Sequence, residues 1–231
     1  MGLYEIAGLT VAMDVTGRTF AQAAPYACLC QRQPDVRICC DPEQFIKVNP
    51  HLTDRDAAMY LATGATFARA LLNHQGFQFH ASAVALDGQG YLFTAPCGTG
   101  KSTHAEKWCR LFGAQCINDD KPALRRLEEG WMVWGTPWSG KHDLSSPIGV
   151  PLAGIACLRQ SSENRIRRMS AQEALPYILS QCIRQLTVQQ SDVQLQLVDR
   201  LLQEVPVWLL ECNIDDEAAA LSLQAMTEVQ R

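Results

Sequence analysis

Between His80 and Asp120 the chain sets a histidine, the run Ala95-Pro96-Cys97-Gly98-Thr99-Gly100-Lys101-Ser102-Thr103 and the carboxylate pair Asp119-Asp120. Glycines followed by a lysine and a hydroxyl residue are what a phosphate cradle needs. Gly98 and Gly100 let the backbone approach phosphate oxygens, Lys101 reaches the β and γ phosphates, and the Ser102 hydroxyl offers an oxygen to Mg²⁺. Ala95 stands where the first glycine of this pattern is usual, and alanine serves there if its backbone angle is ordinary. The chemistry implied is the binding of ATP with Mg²⁺.

Such a loop works only between particular elements. Tyr91-Leu92-Phe93-Thr94 reads as a buried strand, and a helix pattern follows the loop through Trp108, Leu111 and Phe112. The loop would thus curl at a helix N-terminus, where unpaired N–H groups and the positive end of the dipole face an anion. Gly113 stops that helix, and Gln115-Cys116-Ile117-Asn118 reads as a strand ending in Asp119-Asp120. Ligands of parallel α/β units lie outside the carboxyl ends of strands, so both acids should arrive beside Lys101 and Ser102. One can position Mg²⁺ while the other takes a proton from an attacking hydroxyl. The plainer reading of adjacent aspartates is a turn or cap.

Upstream, Asp87-Gly88-Gln89-Gly90 is a hairpin turn signal, so the strand from Phe77 that carries His80 should run antiparallel to the loop's strand. A lone histidine in an apolar strand is more often a core residue than a catalytic one. Downstream, Trp131-Met132-Val133-Trp134 reads as a strand and residues 135–143 as a polar loop or lid. Lys141 or His142 could neutralise charge on a transferred phosphoryl group, and Trp138 could supply a flat wall for a base or substrate. The alternative is a solvated loop with a packed tryptophan.

The block from His80 to Asp120 resembles the catalytic core of HPr kinase/phosphorylase and its bacterial relatives, whose fold is similar to that of phosphoenolpyruvate carboxykinase. These proteins carry a strand histidine, a phosphate loop ending GKS or GKST, and an Asp-Asp pair after the next strand. Here His80 precedes Lys101 by 21 positions, as in that family, and Asp120 follows it by 19, one more than usual, which implies an insertion. The resemblance spans roughly residues 77–160. It implies Lys101 as the phosphate-binding lysine, Ser102 as a Mg²⁺ ligand, and Asp120 as general base supported by His80. Asp119 is the alternative base or a metal ligand. A similar W-x-G-K stretch in the short relatives implies a role for Lys141, and the family's assembly implies a homo-oligomer. The glutamate-containing segment and separate N-terminal domain of the bifunctional enzymes are missing, which points to a short kinase acting on a peptide, a protein or a small molecule.

The whole chain is an ordinary globular composition: 231 residues, 47% hydrophobic and 19% charged, with formal net charge −4. No long basic run supports a nucleic-acid surface, and no apolar stretch reaches membrane-spanning length. No signal sequence opens the chain, so it is expected in the cytoplasm, with neither nucleic acid nor membrane as partner. Arg165-Ile166-Arg167-Arg168 reads as a solvated turn. Cys97, Cys109, Cys116, Cys157, Cys182 and Cys212 fall singly in apolar patterns as buried hydrophobes would, and Cys28, Cys30, Cys39 and Cys40 lack zinc-knuckle spacing, so reduced thiols are expected.

Short alternating runs at 4–7, 9–13 and 36–39, punctuated by Gly and Pro, predict several strands in the first fifty residues. A helix is expected from Thr53, a core strand over 150–158, helices from Ala171 to Leu186 with a Ser170/Glu173 capping box and from Val193 to Leu202, a strand over 205–212, and a terminal helix from Asp215 to Val229. The expected fold is one α/β domain: a β-rich part with one helix over 1–76, and over 77–231 a phosphoenolpyruvate carboxykinase-like P-loop core with a mixed sheet. Two functions compete, an ATP-dependent kinase acting on a hydroxyl and a nucleotide-binding partner module without transfer. The acid pair separates them, since binding alone needs no base.

Overall fold

Twelve strands and seven α-helices make up the part of the chain that the computed structural model describes, residues 1–29 and 32–228. In chain order they are β1 (Gly2–Ile6), β2 (Leu9–Met13), α1 (Gly17–Ala23), β3 (Val36–Ile38), α2 (Pro42–Val48), α3 (Arg55–Leu71), β4 (Gly76–Gln78), β5 (Ser82–Leu86), β6 (Gln89–Thr94), α4 (Lys101–Phe112), β7 (Gln115–Asn118), β8 (Ala123–Leu127), β9 (Gly130–Trp134), β10 (Gly149–Gln160), β11 (Arg165–Arg168), α5 (Ala171–Ser180), α6 (Val188–Glu204), β12 (Val207–Cys212) and α7 (Asp216–Thr227). Cys30 and Val229, to which the cysteine cluster and the terminal helix extended, lie outside the described residues.

Asp87 and Gly88 turn the chain with φ of 50° and 76°, and β5 and β6 pair antiparallel, Ser82 opposite Phe93. β7 joins the other side of β5, also antiparallel, with Ala83 opposite Asn118. β6 and β7 therefore run the same way with β5 between them. The start of β5 and the ends of β6 and β7 lie at one edge of the sheet.

Among the described residues the main sheet is nine-stranded and mixed, in the order β4-β8-β9-β10-β6-β5-β7, with β12 on β10 and β11 on β12. Its curl comes from the long β10. Residues 149–151 pair antiparallel with β9, from Leu152 the strand pairs parallel with β6 through an irregularity between Leu152 and Gly154, and from Ile155 it pairs parallel with β12. A register break of this kind bends a strand and lets one strand serve two directions. A small sheet, β1-β2-β3, packs against α3 through Ile6, Val11, Ile38 and Phe67.

α4 lies on the sheet face of Tyr91 and Phe93, where Trp108 is fully buried with its ring 5.0 and 5.1 Å from theirs. His104 packs in the same cluster, 4.6 Å from the Phe93 ring, and shares the Ser222 hydroxyl with the Trp108 indole. Burial, with the Lys107 charge, pushes its imidazole down to about 4.

Several local expectations change. Residues 17–23 and 42–48 are helices inside the part read as β. Asp41 caps α2 by accepting from the Glu43 N–H, with Pro42 in the first turn, so a proline read as punctuation in fact opens a helix. His80 stands in the short link between β4 and β5, not within a strand. Residues 165–168 form β11, paired antiparallel with β12, rather than a solvated turn. Ser170 and Glu173 make the capping box, but α5 ends at Ser180. Cys97 is exposed in the loop before α4 rather than buried, and none of the described cysteines is paired in a disulfide.

Candidate active site

β6 delivers Ala95 to the edge of the sheet, and residues 95–100 turn back into α4. Gly98 and Gly100 take φ of 81° and 108°, a region that side-chain-bearing residues rarely enter, and a Cβ added to either would meet open space. The glycines are thus required by the backbone path, and the space above them is free for a ligand. Ala95 is not among the positive-φ residues, which explains why alanine can stand there. Gly100 caps α4 without a side-chain hydrogen bond, so the first amides of this 12-residue helix keep their donor capacity.

Lys101 folds back over the loop, its Nζ donating to the carbonyls of Ala95 at 2.9 Å and Pro96 at 3.4 Å. It is only 7% exposed, and burial lowers its pKa against the opposing pull of Cys97, Asp120 and Asp119. Ser102 and Thr103 are exposed on the first turn. A cavity of about 440 Å³ borders the loop, lined by Gly98, Thr99, Gly100, Thr103 and Lys107 among others.

The acid pair is presented by Asn118, fully buried at the end of β7. Its Oδ1 accepts from the N–H groups of Asp120 at 2.9 Å and Lys121 at 2.7 Å, while its Nδ2 donates to the Thr136 carbonyl at 2.9 Å. One asparagine therefore sets the turn and ties it to the next loop. The two carboxylates then part. Asp119 accepts from the Ser82 hydroxyl at 2.8 Å, and Asp120 Oδ1 lies 2.9 Å from His80 Nδ1.

The His80 and Asp120 side chains are 34% and 22% exposed, reachable by a substrate. Burial pushes the Asp120 carboxyl up, but the His80 hydrogen bond and the charges of Lys121 and Lys101 outweigh it and hold it below the usual range. Lys121 approaches Asp120 at 4.0 Å and lies over the Tyr60 ring.

The polar loop reaches this centre by backbone. Gly140, with φ of 79°, lies so close that a Cβ there would sit 2.9 Å from the Asp120 Cβ. Lys141 and His142 extend into solvent one and two residues further on. Trp138 is not a wall for a substrate. It is fully buried, stacked on Phe67 at 4.9 Å, with its indole N–H donating to Thr63, because α3 needs that ring to fill its contact with the small sheet.

Thus the structure brings together Lys101, Asp119, Asp120 and His80, while the Lys141 side chain, like those of Ser102 and Thr103, is exposed. Asn118, Ser82 and Lys121 escape sequence reasoning. For the first two the only signal is a polar residue at a strand end, and for Lys121 it is a charge next to the acid pair.

No family model matches the sequence, and no curated protein matches it. Among solved structures, the HPr(Ser) kinase/phosphatase from Coxiella burnetii is similar at 13% identity and a TM-score of 0.39, over 67% of this chain and 99% of that one. The chemistry below is carried by the site's own residues, not by that likeness.

Proposed function

We propose that the chain is an HPr kinase-like phosphotransferase, with a phosphoenolpyruvate carboxykinase-like P-loop core, that moves the γ-phosphoryl group of ATP to a hydroxyl. The observation that carries this reading is the His80 Nδ1 to Asp120 Oδ1 contact at 2.9 Å beside a phosphate loop whose lysine senses the same carboxylates. A nucleotide-binding module has no need of a carboxylate held ionised and oriented by a histidine.

In the proposed step, Lys101 leaves its own loop carbonyls for the phosphate oxygens, and the α4 amides hold the phosphates. The acceptor oxygen forms a bond to the γ-phosphorus as the bond to the bridging oxygen breaks, and ADP leaves with the electron pair. The hydroxyl proton passes to Asp120, with His80 fixing the carboxylate. A low pKa suits this role, because a loose phosphoryl-transfer transition state asks more for position and charge than for a strong base.

The donors present fit Mg²⁺ as it travels with a nucleotide. Among the described residues no three His, Cys, Asp or Glu side chains form a metal cage. One hydroxyl, Ser102, and one carboxylate, Asp119, match a cation held mainly by phosphates and water. Bound there, Mg²⁺ supplies neutralisation of the β and γ phosphate charge.

Asp120→Asn is expected to keep ATP affinity within a few-fold by calorimetry and to lower transfer of label from γ-labelled ATP at least about 100-fold, the usual reach of a positioned base. Lys101→Ala should weaken both binding and transfer. Labelling by Asp120→Asn at the wild-type rate would remove the base assignment.

A further inference from the structure

A second cavity opens beside His80. It measures about 510 Å³ and lies between the 45–52 segment, α3 and the link over 181–185. His80 and Lys121 line it, and no residue of the phosphate loop does. Its walls are largely apolar, from Phe45, Leu52, Leu61, Ala65, Phe79 and Ile183.

The polar lining includes the amides of Asn49, Gln78, Gln181 and Gln185 and the imidazoles of His51 and His80, and its charged groups are of one sign. Lys121 and Arg184 are cations, and among the described residues no carboxylate lines it. Arg184 is exposed and forms no ion pair among the described residues; the Ser180 carbonyl accepts a hydrogen bond from it at 3.4 Å. Gln78 is 6% exposed, and its Nε2 has no hydrogen-bond partner. A buried amide donor without an acceptor is an exception in folded proteins, and a ligand oxygen would satisfy it.

On the phosphotransferase reading, we infer that this cavity is the acceptor subsite and that it takes a small hydroxy acid with an apolar body. The hydroxyl lies at the His80 end of the cavity, next to the residue that holds Asp120 at 2.9 Å, the apolar body fills the space against α3, and the carboxylate answers the cationic lining and the Gln78 donor. A concave, apolar space of several hundred Å³ with a few polar groups is the form of a small-molecule site, whereas a protein acceptor would be met by a broad, flatter face. Phe45, Leu52, Leu61 and Ala65 belong to the N-terminal part, so most of the apolar wall comes from outside the nucleotide-binding core, while the polar groups that meet the acceptor come from within it.

The test uses 3-hydroxyoctanoate and 3-phenyllactate as acceptors and octanoate as the analogue without a hydroxyl. Wild-type protein should transfer label from γ-labelled ATP to a hydroxy acid with saturation, and octanoate should compete with that acid but not with ATP. Ala65→Trp, which fills the cavity, should lower kcat/KM for the acid at least tenfold with ATP affinity unchanged. Arg184→Gln, a surface change that leaves folding alone, should raise KM for the acid several-fold and leave its methyl ester unaffected.

Calorimetry with octanoate in the absence of nucleotide separates the two readings. Octanoate bound by wild type and not by Ala65→Trp supports the subsite even if no ATP-dependent transfer is found. Asp120-dependent turnover of ATP without binding of any of these acids, or labelling of a serine peptide that Ala65→Trp leaves intact, overturns the subsite while the phosphotransferase reading stands.

Discussion

Asp119 and Asp120 are identical side chains one position apart, and their partners give them different surroundings. Ser82 engages Asp119 through a neutral hydroxyl, whereas His80 takes an oxygen of Asp120 at 2.9 Å. The prediction at this scale concerns His80. His80→Ala should lower turnover about 10- to 100-fold, less than loss of the carboxylate itself, with ATP affinity retained. It should also move the acid limb of the pH–rate profile upward, since the hydrogen bond that helps hold Asp120 below its ordinary pKa is gone. Unchanged turnover with a lowered Tm would return His80 to a structural role.

Among the elements, the loop over 138–146 is the one whose part differs most from what its composition suggests. It is strapped from the N-terminal part. Arg18 on α1 donates to the Gly140 carbonyl at 2.6 Å and pairs with Asp143 at 2.6 Å, the Tyr60 hydroxyl accepts from the Gly140 N–H at 3.1 Å, and Tyr26 meets Ser145. Because Gly140 stands against Asp120, these contacts fix the backbone beside the proposed base. The Arg18–Asp143 pair is exposed and contributes only about 0–1 kcal/mol to stability. Arg18→Ala is therefore expected to leave the Tm within a few degrees and to slow transfer several-fold through loss of loop position. Equal transfer rates, measured with label, would show that the loop holds its place without the strap.

For the molecule as a whole, acid stability is set by groups that resist protonation in the folded state. His104, pushed down to about 4 by burial, stays neutral in the core while the unfolded chain protonates it below about 6.5. A depressed folded pKa favours the folded state above the unfolded pKa, and that advantage is lost as pH falls toward the folded one. The loss for this group is on the order of 3 kcal/mol between about pH 6.5 and 4. Asp120, also held low, adds to the same trend below the ordinary carboxylate range. Denaturant unfolding at pH 7, 5.5 and 4.5 should show falling stability for wild type and a flatter dependence for His104→Gln. Equal slopes would mean that His104 protonates without unfolding.

No helix among the described residues is long and apolar enough to cross a membrane. What was legible in the sequence was local. The glycines of the 95–100 loop, the Asp87-Gly88 turn, the capping box at Ser170 and Glu173, and the apolar strands each depend on residues within a few positions of one another, where dihedral preference and periodicity act. Helices α1 and α2 were missed because short helices carry little periodic signal, and β8 and β11 because their adjacent arginines dilute the alternation.

By itself the sequence indicated the glycine-containing loop before a helix, the acid pair after the next strand and the strand directions that send both to one edge. Only the tertiary structure decided that His80 meets Asp120 while Ser82 meets Asp119, that Trp138 is core, and that Arg18 holds a loop 122 positions away. It alone joined residues 45–65 to 181–185 around the proposed acceptor cavity. Those choices depend on how packed layers register against each other, through contacts between residues too far apart in the chain for any local spacing to encode.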